Sequence, residues 1–289
     1  MVDLSKYNKI HMVGIKGMLG MALAMILKNM GKEVTGSDVK TVFPSDRVLI
    51  KEKIPYYVFN SENIEGKDLI IHSVAYNETN LELAAAKEKG METFTFPQVV
   101  GSIIKDKLAV TISGCNGKTT TTAMISYILT KTGIDPYFIV GTPVDNLDLF
   151  PKCKSDIFVI EADEYREAYF NYAPYAKHAI ITNIEWDHPD YFPKFEDMIK
   201  SYSEFIKKLP KGANLYGYGE DRDIDKAVKL SGRKGLIIHR YGFGKKYDIQ
   251  IQNVKNLLGK NEFEIFQDSK SRGVYELIIP GDHNILNAT

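Results

Sequence analysis

Ser113-Gly114-Cys115-Asn116-Gly117-Lys118-Thr119-Thr120-Thr121-Thr122 follows the apolar run Leu108-Ala-Val-Thr-Ile112 and precedes a helix-like segment, 123–132. An apolar strand, a glycine turn and a helix in that order make a phosphate cradle. Amide N–H groups of the turn and the positive end of the helix dipole hold polyphosphate oxygens, a lysine reaches the β- and γ-phosphates, and a hydroxyl at the Thr119 position ligates Mg2+. The spacing departs from the usual phosphate loop, which puts four residues between its glycines. Only Cys115 and Asn116 separate Gly114 from Gly117.

The 289 residues allow about two domains with sizeable cores. Lysine plus arginine total 37, as do aspartate plus glutamate, so no overall charge draws the chain to nucleic acid or to an anionic membrane. Two cysteines, Cys115 and Cys153, are too few for a zinc cage or a disulfide scaffold. The opening Met1-Val-Asp-Leu-Ser-Lys-Tyr7 lacks a signal-peptide pattern, and the most apolar stretch, 17–27, falls short of the ~20 residues a membrane helix needs. A soluble, reduced, cytoplasmic protein is expected.

Before residue 100, short apolar strands (9–13, 33–37, 68–72) alternate with helical segments (18–30, 81–89), the pattern of a parallel sheet covered by helices. Gly14-Ile15-Lys16-Gly17-Met18-Leu-Gly20 opens the first helix, and Asp38 ends the second strand eighteen residues beyond Gly20. The set resembles a dinucleotide fingerprint, except that Lys16 stands where the second glycine belongs. Around Phe96-Pro97 and Ile103-Lys-Asp-Lys107 the pattern pauses, which predicts a domain boundary near residue 106: a Rossmann-like domain over 1–106 and an ATP-binding domain over 107–289. The second domain continues with strands at 137–140, 157–160 and 178–182 and a helix at 194–209. Further strand candidates at 235–241, 247–254, 262–266 and 274–279 alternate apolar and polar residues, which predicts an antiparallel flank.

Two acidic clusters follow strands. Phe158-Val-Ile-Glu161-Ala-Asp163-Glu164-Tyr165 supplies three carboxylates, and Ile180-Ile-Thr-Asn183-Ile-Glu185-Trp186-Asp187-His188 supplies two more with a histidine. Ligands of open parallel sheets collect at the carboxyl ends of strands, so both clusters are expected to face the phosphate loop, where carboxylate and hydroxyl oxygens suit Mg2+.

With these motifs in order, the chain resembles the Mur ligases, ATP-dependent enzymes that add amino acids to UDP-N-acetylmuramic acid. Gly14-Ile-Lys-Gly17 with Thr35-Gly-Ser-Asp38 is similar to the family's UDP-binding segment, and Gly114 to Thr122 to its short phosphate loop. Glu161-Ala-Asp-Glu164 and Thr182-Asn-Ile-Glu-Trp-Asp-His188 resemble its metal and phosphate segments, and Gly281-Asp-His-Asn-Ile-Leu-Asn-Ala288 its adenine segment. The resemblance implies an α/β fold and a reaction in which the muramoyl carboxylate attacks the γ-phosphorus of ATP to give an acyl phosphate, which an amine then opens. It implies nucleotide contacts at Gly114, Cys115, Asn116, Gly117, Lys118, Thr119 and Thr120, with adenine at His283, Asn284 and Asn287. Thr119, Glu161 and His188 would hold Mg2+; Lys118, Glu161, Asn183 and His188 would order the reacting groups; Gly14, Ile15, Lys16, Gly17, Met18, Asp38, His72 and Ser73 would receive the UDP portion of UDP-N-acetylmuramate.

Gly-Ser-Asp together with Glu-Ala-Asp-Glu points to the branch that attaches L-alanine or an intact murein tripeptide. Ala168-Tyr-Phe170 and Asp187-His-Pro-Asp-Tyr-Phe-Pro193 lean toward the tripeptide. Two departures stand out: Cys115-Asn116 replaces the branch's Thr-His, and Ser203 lies fifteen residues after His188, where other Mur ligases carry a carbamylated lysine. The resemblance implies a third, carboxy-terminal domain after Thr289, so a truncated chain that alone binds nucleotide weakly and ligates poorly or not at all is expected. An NAD-dependent oxidoreductase and a non-catalytic nucleotide-binding regulator are the alternative readings.

Overall fold

A computed structural model describes residues 2–142, 151–167, 170 and 175–289. Ala168 and Tyr169, part of the lean toward a tripeptide, lie outside the described residues. The chain forms two compact units, Met1–Lys107 with Ser126–Val159, and Leu108–Ile125 with Ile160–Thr289.

The first hundred residues run β1 (Lys9–Val13), α1 (Met18–Asn29), β2 (Glu33–Asp38), α2 (Ser45–Lys51), β3 (Tyr56–Val58), β4 (Leu69–His72), α3 (Leu81–Glu88), β5 (Thr93–Thr95) and α4 (Phe96–Ile104). The strands form a sheet of order β3-β2-β1-β4-β5, and its pairs are parallel. Strand order reverses beside β1, so the carboxyl ends of β1, β2 and β4 converge at the switch point where such sheets take ligands. Helices cover the strands, which explains near-continuous apolar runs such as Leu69-Ile-Ile71, fully buried.

The pause expected around Phe96-Pro97 is instead α4. Thr95 caps it and pairs reciprocally with Gln98, while Pro97 sits in the first turn, where its missing N–H costs nothing. Proline there starts a helix rather than breaking one. The first unit also takes 126–159, which the expected division at 106/107 assigned to the second domain. Strand β7 (Tyr137–Ile139) packs against α1, and Asn29 donates to the Pro151 carbonyl at 3.1 Å.

Beyond residue 107 come β6 (Leu108–Ser113), α5 (Lys118–Lys131), β7, β8 (Ile157–Glu161), β9 (His178–Ile181), α6 (Phe195–Lys208), β10 (Asn214–Tyr218) and α7 (Arg222–Ser231). They are followed by β11 (Ile237–Phe243), β12 (Ile249–Leu257), β13 (Lys260–Gln267), β14 (Lys270–Leu277) and α8 (Asp282–Ala288). The strands form one sheet of order β14-β13-β12-β11-β10-β9-β6-β8-β7. An antiparallel flank is present, but narrower than expected. In this flank β12, β13 and β14 pair antiparallel, whereas β11 lies parallel to both β10 and β12.

Helix α5 begins at Lys118, five residues before the predicted start, because the threonine run is helical from the end of the glycine turn. Helix α6 buries Met198, Tyr202, Phe205 and Ile206 along one stripe, where Phe170 meets the Tyr202 ring edge-on at 5.1 Å and stacks on Phe205 at 4.6 Å. Among the described residues no helix is long and apolar enough to cross a membrane.

Candidate nucleotide site

The turn between β6 and α5 has the shape a phosphate cradle needs. Gly114 has φ +127°, and a Cβ there would stand 2.0 Å from the Thr182 hydroxyl and 3.0 Å from the Asn183 backbone; no other residue fits. The turn is held from the β9 side. Cys115 N–H donates to the Asn183 carbonyl (3.2 Å), and Asn116 N–H donates to Asn183 Oδ1 (2.9 Å). The Asn116 carbonyl accepts from Thr182 Oγ1 (2.6 Å) and Asn183 Nδ2 (3.0 Å). Asn183, expected to order the site, therefore shapes the loop through both ends of its amide.

Cys115, where this branch carries threonine, points inward. Its thiol donates to the Glu185 carbonyl at 2.8 Å, and burial pushes its pKa up to about 12.

Both acidic strand tips reach the loop. Thr119 Oγ1 lies 3.0 Å from each oxygen of Glu161. Lys118 Nζ lies 3.0 Å from both oxygens of Glu164 and 2.6 Å from the Gly114 carbonyl. Glu164 is fully buried; burial raises its pKa, and the Lys118 charge works the other way. His188 brings Nε2 to 3.8 Å from Glu164. Its backbone is left-handed, φ +53°, and its ring packs 4.7 Å from that of Tyr165, whose hydroxyl donates to Asp190 at 2.9 Å. The lone Trp186 is exposed and donates its indole N–H to the Phe192 carbonyl (3.0 Å), closing the same turn.

Beside the loop opens a cleft of about 750 Å3 lined by residues that include Asn116, Gly117, Asn183, Glu185, Tyr218, Asp221, Tyr241, His283 and Asn287. Asn287 abuts the loop, its Oδ1 lying 2.3 Å from where a Gly117 Cβ would stand. Asn284 takes a different place from its two expected companions. It is buried and donates to the Pro280 carbonyl at 2.7 Å, anchoring the start of α8. Thr120 follows Thr119 in the first turn of α5.

In the first unit, the turn after β1 is largely satisfied by the protein itself. Lys16 N–H donates to Asp38 Oδ2 (2.8 Å) and Val39 N–H to Asp38 Oδ1 (2.8 Å), with the Tyr76 hydroxyl 3.3 Å away. The Lys16 ammonium is buried against the carbonyls of Val39 (3.0 Å) and Thr41 (3.1 Å) and Asp46 (3.3 Å). Burial opposes ionisation of Asp46, but the Phe43 amide and Lys16 outweigh it and hold its carboxyl below the usual range. Ile15 is fully buried, so its backbone, not its side chain, lines the turn. Gly17 caps α1 without a side-chain bond, and Met18 begins it. Gly14 N–H donates to the Ser37 carbonyl (2.8 Å), and Ser73 N–H to the Val13 carbonyl (3.0 Å). His72 borders a separate cleft of about 480 Å3 with Tyr76, Lys87 and Met91.

Three participants had no role assigned from sequence. Glu164 belongs to the segment that resembles the family's metal and phosphate motif, but nothing in the spacing of its carboxylates says which one meets Lys118. Asp163 joins Glu164 and His188 in a group whose ligand atoms lie within 4.8 Å of one another. Asp221 lies past β10, a short strand whose pattern Gly217 interrupts, since glycine weakens a strand pattern. The site suits a magnesium nucleotide: oxygen donors dominate, as Mg2+ prefers, and the lysine and helix N-terminus offer positive charge beside a cleft of nucleotide size.

Comparison with known proteins identifies the two domains. Residues 9–108 match the Mur ligase family catalytic domain, and residues 112–289 match the Mur ligase middle domain. A UDP-N-acetylmuramate--L-alanine ligase of Desulfitobacterium hafniense is 36% identical over 281 residues, covering 96% of this chain and 61% of the relative. One of Treponema pallidum is 35% identical, covering 97% and 59%. Among solved structures, a UDP-N-acetylmuramate:L-alanyl-gamma-D-glutamyl-meso-diaminopimelate ligase from Neisseria meningitides shares the fold with a TM-score of 0.82 at 23% identity, covering 97% of this chain and 90% of that one. UDP-N-acetylmuramate-alanine ligase from Thermotoga maritima does so at 0.79 and 23%, covering 96% and 62%. The chain spans about three fifths of the length of the curated relatives it matches. With the glycine turn, the acidic strand tips and both domain matches in agreement, the chain belongs to the Mur ligase family.

Proposed function

We propose that this chain forms the substrate- and nucleotide-binding part of an ATP-dependent ligase that joins an amino acid or peptide amine to the carboxylate of UDP-N-acetylmuramic acid. The observation that carries the reading is the convergence of Lys118, Thr119, Glu161, Glu164 and His188 behind one glycine turn, beside a cleft that reaches His283 and Asn287. In this reading the division near residue 106 separates the sugar-nucleotide half from the ATP half, and the enzyme works in the cytoplasm.

A carboxylate is a poor acceptor of nucleophiles. The sugar carboxylate takes the γ-phosphoryl group and ADP leaves; an amine then attacks the carbonyl, loses its proton to solvent, and phosphate leaves. The protein's task is positioning and neutralisation. Lys118 exchanges Glu164 for phosphate oxygens, the amides of 114–119 hold the chain of phosphates, and Asn183 keeps the loop in shape. Thr119, Glu161 and His188, with Asp163 and Glu164 beside them, would hold Mg2+, which when bound offsets the charge of the phosphates. Asp38 and the Gly14–Met18 turn receive the UDP portion through backbone groups, because the Lys16 ammonium is already engaged. This engagement and the lysine in place of the second glycine count against NAD.

Equilibrium binding tests the proposal. The chain is expected to bind Mg2+·ATP and UDP-N-acetylmuramate but not NAD, and Lys118→Met is expected to weaken ATP binding at least roughly tenfold, as loss of a charge-assisted contact predicts. ATP binding unchanged by Lys118→Met would refute the assignment. Phosphate release by the native enzyme with L-alanine, compared with murein tripeptide, identifies the amine.

A further inference from the structure

We propose that Asp221, at the amino end of α7, is a positioning residue for the phosphate loop. The inference rests on the reading of that loop as a nucleotide cradle. Asp221 Oδ1 accepts the N–H groups of Asp223 (2.8 Å) and Ile224 (3.2 Å), an ordinary helix cap. Its other oxygen, Oδ2, leaves the helix altogether and accepts the N–H of Ile184 at 2.8 Å, thirty-seven residues away.

Ile184 is buried and sits between the two residues that hold the loop. On one side Asn183 takes the Cys115 and Asn116 amides. On the other, Glu185 takes the Cys115 thiol on its carbonyl and the Asn116 side-chain amide on its carboxylate, at 3.2 Å. Segment 183–185 thus carries much of the loop, together with Thr182, and Asp221 Oδ2 ties the middle of that segment to α7. With three N–H groups already on it, Asp221 acts through this backbone, although it also borders the cleft.

The two oxygens do different work, so they can be separated. Asparagine caps a helix about as well as aspartate, but with its carbonyl on Asp223 and Ile224 it turns an NH2 toward the Ile184 N–H and loses that bond. Serine also caps, and is too short to reach Ile184. Asp221→Asn and Asp221→Ser should therefore leave α7 intact and release the loop.

Amide exchange by NMR on the 289-residue chain, with Mg2+·ATP binding alongside, tests this. In both variants the amides of Ile184, Cys115 and Asn116 are expected to exchange about tenfold faster, that of Ile224 to keep its rate, and the ATP dissociation constant to rise roughly tenfold with UDP-N-acetylmuramate binding unchanged. Wild-type exchange at Cys115 and Asn116 in Asp221→Asn would overturn the proposal, as would loosened loop amides with undiminished ATP affinity. A wild-type chain that fails to bind ATP would overturn the functional reading instead, while the exchange rates would still decide whether Asp221 holds the loop.

Discussion

Gly114 and Gly117 look alike in sequence and differ in what surrounds them. At Gly114 a methyl group would collide with Thr182 Oγ1 and with the Asn183 backbone, whereas at Gly117 the obstacle is the end of the Asn287 side chain, which can swing away. Both have positive φ. Gly117→Ala is expected to cost about 1–3 kcal/mol from backbone strain alone. Gly114→Ala should cost more, about 3 kcal/mol or above, because rigid atoms must also move. Urea unfolding of the two variants checks the order; equal losses would mean that Thr182 and Asn183 give way easily. The placement of Lys118 and Thr119 was legible in sequence because both adjoin the turn, and that of Glu161 because it ends an apolar strand of the same sheet. The pairing of Lys118 with Glu164 was not legible, since Glu161, Asp163 and Glu164 all follow the same strand and only the path of the chain after β8 decides which one turns inward.

At the scale of elements, the first sheet carries a buried polar group that its apolar strands conceal. His11 on β1 contacts Thr35 (2.9 Å) and Ser37 (3.3 Å) on β2 and lies 3.5 Å from Glu82 on α3. Glu82 also accepts from Ser37, the Asn63 side chain (2.6 Å) and the Asn60 amide (3.1 Å). Burial opposes its ionisation, but these donors outweigh it and its pKa falls below the ordinary 4.5. A carboxyl whose folded pKa is depressed contributes stability that is present above its unfolded pKa and lost as pH falls through the folded value. Glu82→Gln is therefore expected to cost about 2 kcal/mol at pH 7, a gap that narrows below pH 4.5. Urea unfolding at pH 7 and pH 3.5 measures it, and a gap independent of pH would remove the charge from the explanation.

The longer elements, α1, α3 and α6, follow their periodicity to within a residue or two. The short ones, α2, β3, β5 and β10, carry too few residues or a glycine too many to show a period, and they stand because tertiary neighbours support them; α7 went unread although Ile224, Ala227 and Ser231 bury one face of its ten residues. Helix α4 went unread for another reason: its Pro97 looks like a stop unless the Thr95–Gln98 cap is noticed.

For the whole molecule, the alternation of strands and helices was enough to predict two nucleotide-type α/β sheets, since that pattern depends only on composition along the chain. The packing of β7 against α1 was hidden, because it is set by how surfaces fit and not by any local signal. The two thiols bring one further expectation. Burial pushes both Cys115 and Cys153 up to about 12, which leaves almost no thiolate at neutral pH. A disulfide reagent at pH 7.5 should therefore label the folded chain far more slowly than the chain in urea, and rapid labelling of either thiol in buffer would contradict the burial.

That silence also equips the protein for optical work. A cysteine introduced at Leu286, which faces the cleft beside Asn287, would be the one fast target for a maleimide dye, with neither native sulfur removed beforehand. A fluorophore so placed would turn the arrival of a nucleotide into a signal that can be followed in real time.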